Sequence, residues 1–195
     1  MSSDPTTSPV PLDVEHTVDS ADSTLHNPQR AVIALGSNLG NRLETLQGAV
    51  DALEDTPGVR VRSVSSVYET AAVGGPAQQP SYLNAVIVVR TTLGPGSLLE
   101  RAAAVEDAFS RTREVRWGPR TLDVDIVSYD GVVSDEPELT LPHPRAHERG
   151  FVLAPWYDAE PDAELPGRGR IADLLKEVGT EGVRRRDDLE LRLPE

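Results

Sequence analysis

Apolar and polar residues change period several times along this chain, and the changes mark out its elements. Residues 31–35 (AVIAL) are a short apolar run ended by Gly36-Ser37-Asn38, which predicts a buried strand and a turn. From there Leu43, Leu46, Val50 and Leu53 recur at helical spacing. Asn41 with Glu44 three residues on resembles a capping box, and Pro57-Gly58 stops the helix. Residues 59–68 (VRVRSVSSVY) alternate as a strand. Residues 69–81 then make a loop far longer than a hairpin needs. Residues 82–91 (YLNAVIVVRT) predict a third strand. Residues 95–109 predict a helix with Leu98, Leu99, Ala102, Val105 and Phe109 on one side. A second long loop, 110–120, enters a fourth strand, where Leu122, Val124 and Ile126 alternate with Asp123 and Asp125.

The order β-α-β-β-α-β is the split βαβ, or ferredoxin-like, pattern: an α+β fold with an antiparallel sheet and its helices on one face. Past residue 128, Asp130-Gly131 is a hairpin signal, 141–156 reads as a loop with short helices, and 170–178 as one more helix. These make a C-terminal extension, and there is no internal repeat. The topology has a consequence. The end of strand one, the loop between strands two and three, and the loop entering strand four all meet at one edge. Asp123 and Asp125 begin strand four there, beside Tyr82 and Asn84 at the start of strand three. Long loops on a rigid sheet are where sites are built.

Composition trims the picture at both ends. Residues 1–29 hold five acids, no Lys or Arg and four prolines, too little apolar surface to offset ordering entropy, and read as a disordered acidic tail. Residues 30–195 then form a single domain. Hydrophobic residues make up 38% of the 195, with no run long enough to span a membrane and no signal-like start, so the default compartment is the cytoplasm. With no cysteine, disulfides, thiolate metal sites and a cysteine nucleophile are excluded. A net charge of −13 argues against a nucleic-acid surface. Yet Arg111, Arg113, Arg116 and Arg120 face one acid, Glu114, within ten residues, which points to a small anionic ligand.

The candidate chemistry centres on Asp123 and Asp125. On a strand both point to one face, about 6.6 Å apart along it. Two like charges that close either raise one pKa or hold a cation between them. Trp117 beside arginines in a loop is costly without a ligand or partner. GSNLGNR (36–42) lacks the spacing and lysine of a phosphate loop and reads as a strand-to-helix turn. His143 is fixed between two prolines, and its spacing to His147 in a non-helical stretch does not make a metal pair. For Tyr82 and Phe151, core packing and stacking on a flat ligand both stay open. On residues alone, a two-metal nucleotide transferase and a ferredoxin-like ligand-sensing module remain alternatives.

Four segments in order, ALGSNLGNR, YET…QPSYLNAV, RWGPRTLDVDIV and PHPR…ERGFVLAP, resemble 6-hydroxymethyl-7,8-dihydropterin pyrophosphokinase over roughly residues 31–165. The resemblance implies pyrophosphoryl transfer from ATP to the pterin hydroxymethyl oxygen in folate biosynthesis, releasing AMP. Nothing in the sequence demands more than a monomer, and its charge and hydropathy point to neither nucleic acid nor membrane as a partner. Carried over by motif, Asp123 and Asp125 would ligate two Mg²⁺ ions bridging the ATP phosphates. Arg111 and Arg120 would neutralise the transferring group, with Arg113 and Arg116 as further cations and Trp117 closing the loop. His143 and Arg149 would contact ATP, Ile126, Leu139 and Thr140 would lie near the adenine, and Glu106 at the nucleotide side. Tyr82 and Phe151 would sandwich the pterin, while Asn84 and the backbone around Thr70, Ala71 and Val73 would bond its edge. Ala72, where the family often has proline, and the longer stretch 76–81 depart from the pattern.

Overall fold

The computed structural model describes residues 27–72, 80–110 and 122–195. The tail expected over 1–29 falls outside the described residues up to residue 26, as do Val73, Arg111, Arg113, Arg116, Trp117 and Arg120.

Strand β1 (Gln29–Ser37) starts two residues before the apolar run and is followed by helix α1 (Arg42–Glu54). The Asn41 side chain caps α1 by accepting the Glu44 N–H at 3.2 Å, as the spacing predicts. The alternating stretch 59–68 is two strands rather than one, β2 (Val59–Val64) and β3 (Tyr68–Thr70). Both pair antiparallel with β4 (Tyr82–Thr91). Between them the Ser65 hydroxyl accepts the Val86 N–H at 2.8 Å, keeping the β4 backbone satisfied across the break. Helix α2 (Pro95–Ser110) and β5 (Asp123–Tyr129) complete the split βαβ core. A hairpin of β6 (Ser134–Glu136) and β7 (Leu139–Leu141), a 3₁₀ turn (Ala146–Glu148), helix α3 (Gly150–Ala159), hairpin β8 (Glu164–Leu165)–β9 (Gly169–Arg170), helix α4 (Ile171–Val178) and β10 (Val183–Arg185) follow.

The sheet order is β10-β3-β4-β1-β5, with β2 also on β4, and every pairing is antiparallel. The expectation of helices on one face holds for the core pair. Leu46, Val50 and Leu53 of α1 and Leu98, Ala102 and Val105 of α2 bury against Ile33, Leu35, Ala85, Ile87, Val124 and Ile126. The C-terminal extension supplies the layer on the opposite face. There Val152, Leu153 and Trp156 of α3, with Ile171 and Leu174 of α4, cover Val32, Val86, Val88 and Val127. This explains why β4 reads as an unbroken apolar run: its side chains bury on both sides of the sheet.

Candidate active site

Polar residues collect at the end of the sheet at which β1 finishes and β4 and β5 begin, where Asn84 is buried and Asp125 is exposed. There one row runs straight across four strands: Tyr68 opposite Asn84, Asn84 opposite Gly36, Gly36 opposite Asp123. All four positions lie on the α3–α4 face, because alternation along β4 and β5 places Asn84 with Val86 and Asp123 with Asp125 and Val127. The sequence places the aspartates beside Tyr82 and Asn84, and the structure inserts β1 between them. Asn84 and Asp123 are therefore two strand spacings apart, about 10 Å.

Gly36, itself buried, leaves the middle of this row without a side chain. A Cβ there would stand 3.4 Å from Asn84 Oδ1 and 3.6 Å from Tyr82 Cδ1, so the amide and the ring edge lean over the glycine. Asn84 is only 5% exposed, and its Nδ2 donates to Thr70 Oγ1 at 2.9 Å, which fixes the amide with its oxygen toward Gly36. The result is a buried, side-chain-free stretch of β1 flanked by an aromatic edge and an amide. Phe151 rises at the start of α3 on the same face, with the Arg149 guanidinium 5.5 Å from its ring centroid. Gly150 between them sits tight, since a Cβ would meet the Gly179 carbonyl oxygen at 2.8 Å. The backbone entering α3 is thus wedged against the end of α4.

The other end of the row carries charge. Asp123 is half-buried and Asp125 is exposed on the edge strand β5, with Asp125 opposite Ala34. Val124 between them donates its N–H to Glu106 Oε1 of α2 at 2.7 Å. His143 is held by its backbone N–H on the Val127 carbonyl at 2.8 Å. Its Nδ1 accepts the Arg145 N–H at 3.2 Å, which leaves the proton of the neutral ring on Nε2. Burial lowers the His143 pKa from its usual value, Asp125 opposes that, and Arg149 and Arg145 add to it. At neutral pH the ring is a neutral N–H donor close to the Asp125 charge. Two hard carboxylates on one face suit Mg²⁺, which takes one or two protein carboxylates and completes its octahedron with phosphate oxygens and water. Among the described residues no three His, Asp or Glu side chains cluster to hold a metal unaided.

Other expected site residues are spread around this end. Ile126 is 5% exposed and packs into the α1–α2 core, so its side chain points away from the aspartates. Leu139 packs at the margin of the same core, and the Thr140 hydroxyl donates to the Glu136 carbonyl at 2.9 Å. Ala71 is exposed just after Thr70. His147 pairs with Glu148 at 3.5 Å.

Three residues escaped the sequence reading. Ser37 and Asn38 in the turn after Gly36 are fully buried, and Ser37 Oγ, Asn38 Nδ2 and Asn38 Oδ1 have no hydrogen-bond partner among the described residues. Glu69, beside Thr70, accepts from Arg42 at 3.0 Å, Ser81 Oγ at 3.1 Å, Arg184 at 2.6 Å and Arg186 at 3.1 Å. Hydrogen bonds from Arg184 first, then Arg42 and Ser81, with the Arg186 charge, outweigh burial and hold the Glu69 pKa down at about 2. A depressed carboxylate stabilises the fold above its unfolded pKa near 4.3, and that contribution is lost as pH falls toward about 2. Acid titration of Glu69→Gln should therefore show a shallower loss of stability than wild type between about pH 4.5 and 2; equal slopes in thermal melts would contradict the ionised Glu69 cluster.

Two carboxylates on the edge strand of a split βαβ sheet, with an amide and an aromatic edge two strands away on the same face, fit a nucleotide-dependent group transferase of ferredoxin-like fold. Comparison with known proteins narrows that class. The model of the 7,8-dihydro-6-hydroxymethylpterin-pyrophosphokinase (HPPK) family matches residues 32–161. The 2-amino-4-hydroxy-6-hydroxymethyldihydropteridine pyrophosphokinase of Pseudomonas aeruginosa is 41% identical over 157 residues, covering 80% of this chain and 96% of that protein. The Bacillus subtilis protein of the same name is 47% identical over 154 residues, covering 79% and 88%. A solved Plasmodium falciparum HPPK-DHPS chain shares the fold at a TM-score of 0.63 with 15% identity, covering 84% of this chain. This chain spans 49% of that longer one. The chain belongs to the HPPK family.

Proposed function

We infer that the chain transfers the pyrophosphoryl group of ATP to the hydroxymethyl oxygen of 6-hydroxymethyl-7,8-dihydropterin, releasing AMP, as the pyrophosphokinase of folate biosynthesis. Family membership at 41–47% identity to two curated pyrophosphokinases carries this reading. The row across the sheet supports a division of labour within it. The pterin, flat and polar at its edges, lies between the Tyr82 and Phe151 rings. Asn84 Oδ1 and the backbone at Thr70, Ala71 and Val73 bond its edge. ATP lies toward β5, its phosphates near Asp123, Asp125, His143 Nε2–H and the Arg149 guanidinium, with Leu139, Thr140 and the Ile126 backbone at the adenine.

The pterin oxygen attacks the β-phosphorus while the bond from that phosphorus to the α–β bridging oxygen breaks. The hydroxyl proton leaves to solvent, and AMP carries away the bridging oxygen. Such a transfer asks for in-line positioning and charge neutralisation more than for a strong base. Asp123 and Asp125 would hold two Mg²⁺ ions, which when bound neutralise charge on the ATP phosphates. Arg111 and Arg120, with Arg113, Arg116 and Trp117, supply the remaining cover from the segment before β5. No helix among the described residues is long and apolar enough to cross a membrane. Both substrates are small soluble molecules, which suits a cytoplasmic monomer.

Glu106 enters this scheme behind the aspartates. β5 is an edge strand, and the Glu106 bond to the Val124 N–H steadies the backbone between its two carboxylates. Glu106→Ala should lower kcat by about 10-fold, as loss of a residue supporting metal ligands does, whereas Glu106→Gln, which keeps an accepting oxygen, should restore most of it. If the Gln variant instead fails in ATP binding as fully as Ala, Glu106 contacts the nucleotide directly.

The activity is tested by incubating the protein with ATP, Mg²⁺ and 6-hydroxymethyl-7,8-dihydropterin. AMP and the pterin diphosphate should form in equal amounts. ADP as the nucleotide product, or no Mg²⁺-dependent AMP at all, would overturn the assignment.

A further inference from the structure

The chain continues past the family match, which ends at residue 161, into a C-terminal arm that folds back along the sheet. β10 adds to the β3 edge, pairing Val183 with Thr70, Arg184 with Glu69 and Arg185 with Tyr68. Arg186 donates its backbone N–H to the Val67 carbonyl at 2.8 Å. Further on, Arg192 exchanges hydrogen bonds with the Gln47 side chain of α1, and Leu191 is buried in the α1–α2 core. The arm is therefore anchored at both ends and lies against the strand that carries Thr70.

Two of its arginines meet at one carboxylate. Arg184 and Arg186 donate to Glu69 from the arm, while Arg42 of α1 donates to Glu69 Oε2 at 3.0 Å, to the Ser81 carbonyl at 2.9 Å and to Ser81 Oγ at 3.0 Å. Ser81 Oγ closes the ring by donating to Glu69. Glu69 precedes Thr70 and Ser81 precedes Tyr82, and Thr70 and Tyr82 face each other across β3 and β4. The carboxylate thus ties together the neighbours of two proposed pterin contacts. Thr70 in turn accepts from Asn84, the third. On the other side of the arm, Val183 Cγ2 lies 3.5 Å from where a Gly150 Cβ would stand, next to Phe151.

We propose that the C-terminal arm is a positioning element for the pterin half of the site, acting through Arg184 and Arg186 on Glu69 to hold Thr70, Tyr82 and Asn84 in register. The proposal rests on the reading of those three residues as pterin contacts. It assigns Glu69, Arg184 and Arg186 no contact with substrate. A bidentate or networked arginine holds geometry that a single flexible contact does not, and small misplacements of positioning groups are costly in catalysis. The β5 edge, where the nucleotide is placed, lies at the far side of the sheet from β10.

The test compares Glu69→Gln, the double variant Arg184→Gln/Arg186→Gln, and Asn84→Ala in the full-length chain. For Glu69→Gln and the double arginine variant, KM for the pterin should rise by about 10-fold, with the Kd for Mg²⁺-ATP within about 2-fold of wild type. Combining the two should add little to either alone, since both break one network. A fall in melting temperature with the pterin KM unchanged would make the arm merely structural and overturn the proposal. Should Glu69→Gln not fold, the double arginine variant, which leaves Arg42 on Glu69, decides by the same KM readout. Asn84→Ala separates the two layers of inference. If it leaves pterin binding intact, the reading of the pocket falls and the proposal with it. If it weakens binding while the arm variants do not, only the proposal falls.

Discussion

Replacing either Asp123 or Asp125 with Asn should lower kcat by at least about 10²-fold, the scale of losing one donor that acts at the transition state. The substitution keeps side-chain size and removes charge. Asp125 is exposed on the edge strand and makes no ion pair among the described residues, so Asp125→Asn should melt close to wild type. Removing one of two carboxylates on the same face also relieves their mutual repulsion. ATP binding that depends on Mg²⁺ should weaken in step with kcat, because both rest on the same oxygens. Steady-state kinetics with Mg²⁺ titration of each variant and of the double variant checks this. A double-Asn protein turning over near the wild-type rate would end the assignment of a metal to β5.

The second large effect is expected at the aromatic pair. Tyr82→Ala or Phe151→Ala should weaken pterin binding by about 1–3 kcal/mol, taking base–aromatic stacking as the analogue, with a much smaller change for ATP. The two substitutions differ in their side effects. Phe151 also packs against the α3–α4 core and carries the Arg149 guanidinium over its ring, so its loss should cost some stability as well. Tyr82 lies at the start of β4, where its ring edge leans over Gly36. Calorimetry with each ligand separately, beside thermal melts, measures both quantities. Equal losses for pterin and ATP together with a large fall in stability would return both rings to core packing.

The residues differ in how legible they were. Asp123 and Asp125 stand out in sequence because charge at alternate positions interrupts an apolar strand, and period 2 already puts them on one face. The Asn41 cap and the two core helices were equally readable, since capping and helical spacing are local properties. The chemistry of Arg111, Arg113, Arg116, Trp117, Arg120 and Val73 rests on motif resemblance, as these lie outside the described residues. Ile126 carried an expectation that its side-chain direction qualifies: one residue past Asp125, it must face the opposite core.

By itself the sequence determined the split βαβ order and the placing of Asp123 and Asp125 on one face at the start of the last core strand. Those follow from short-range periodicity and chain direction, which tertiary contacts do not alter. Only the tertiary structure decided that β1 stands between the aspartates and Asn84, with Gly36 opposite both, because strand order is a long-range choice. It alone divided 59–68 into two strands, and it alone placed α3 and α4 on the second face of the sheet. The same holds for Glu69 and the C-terminal arm. Glu69 reads as one more acid in an acidic chain, and Arg184 and Arg186 as charges near its end. Their meeting depends on β10 pairing with β3 across more than a hundred residues, a contact with no local pattern to announce it.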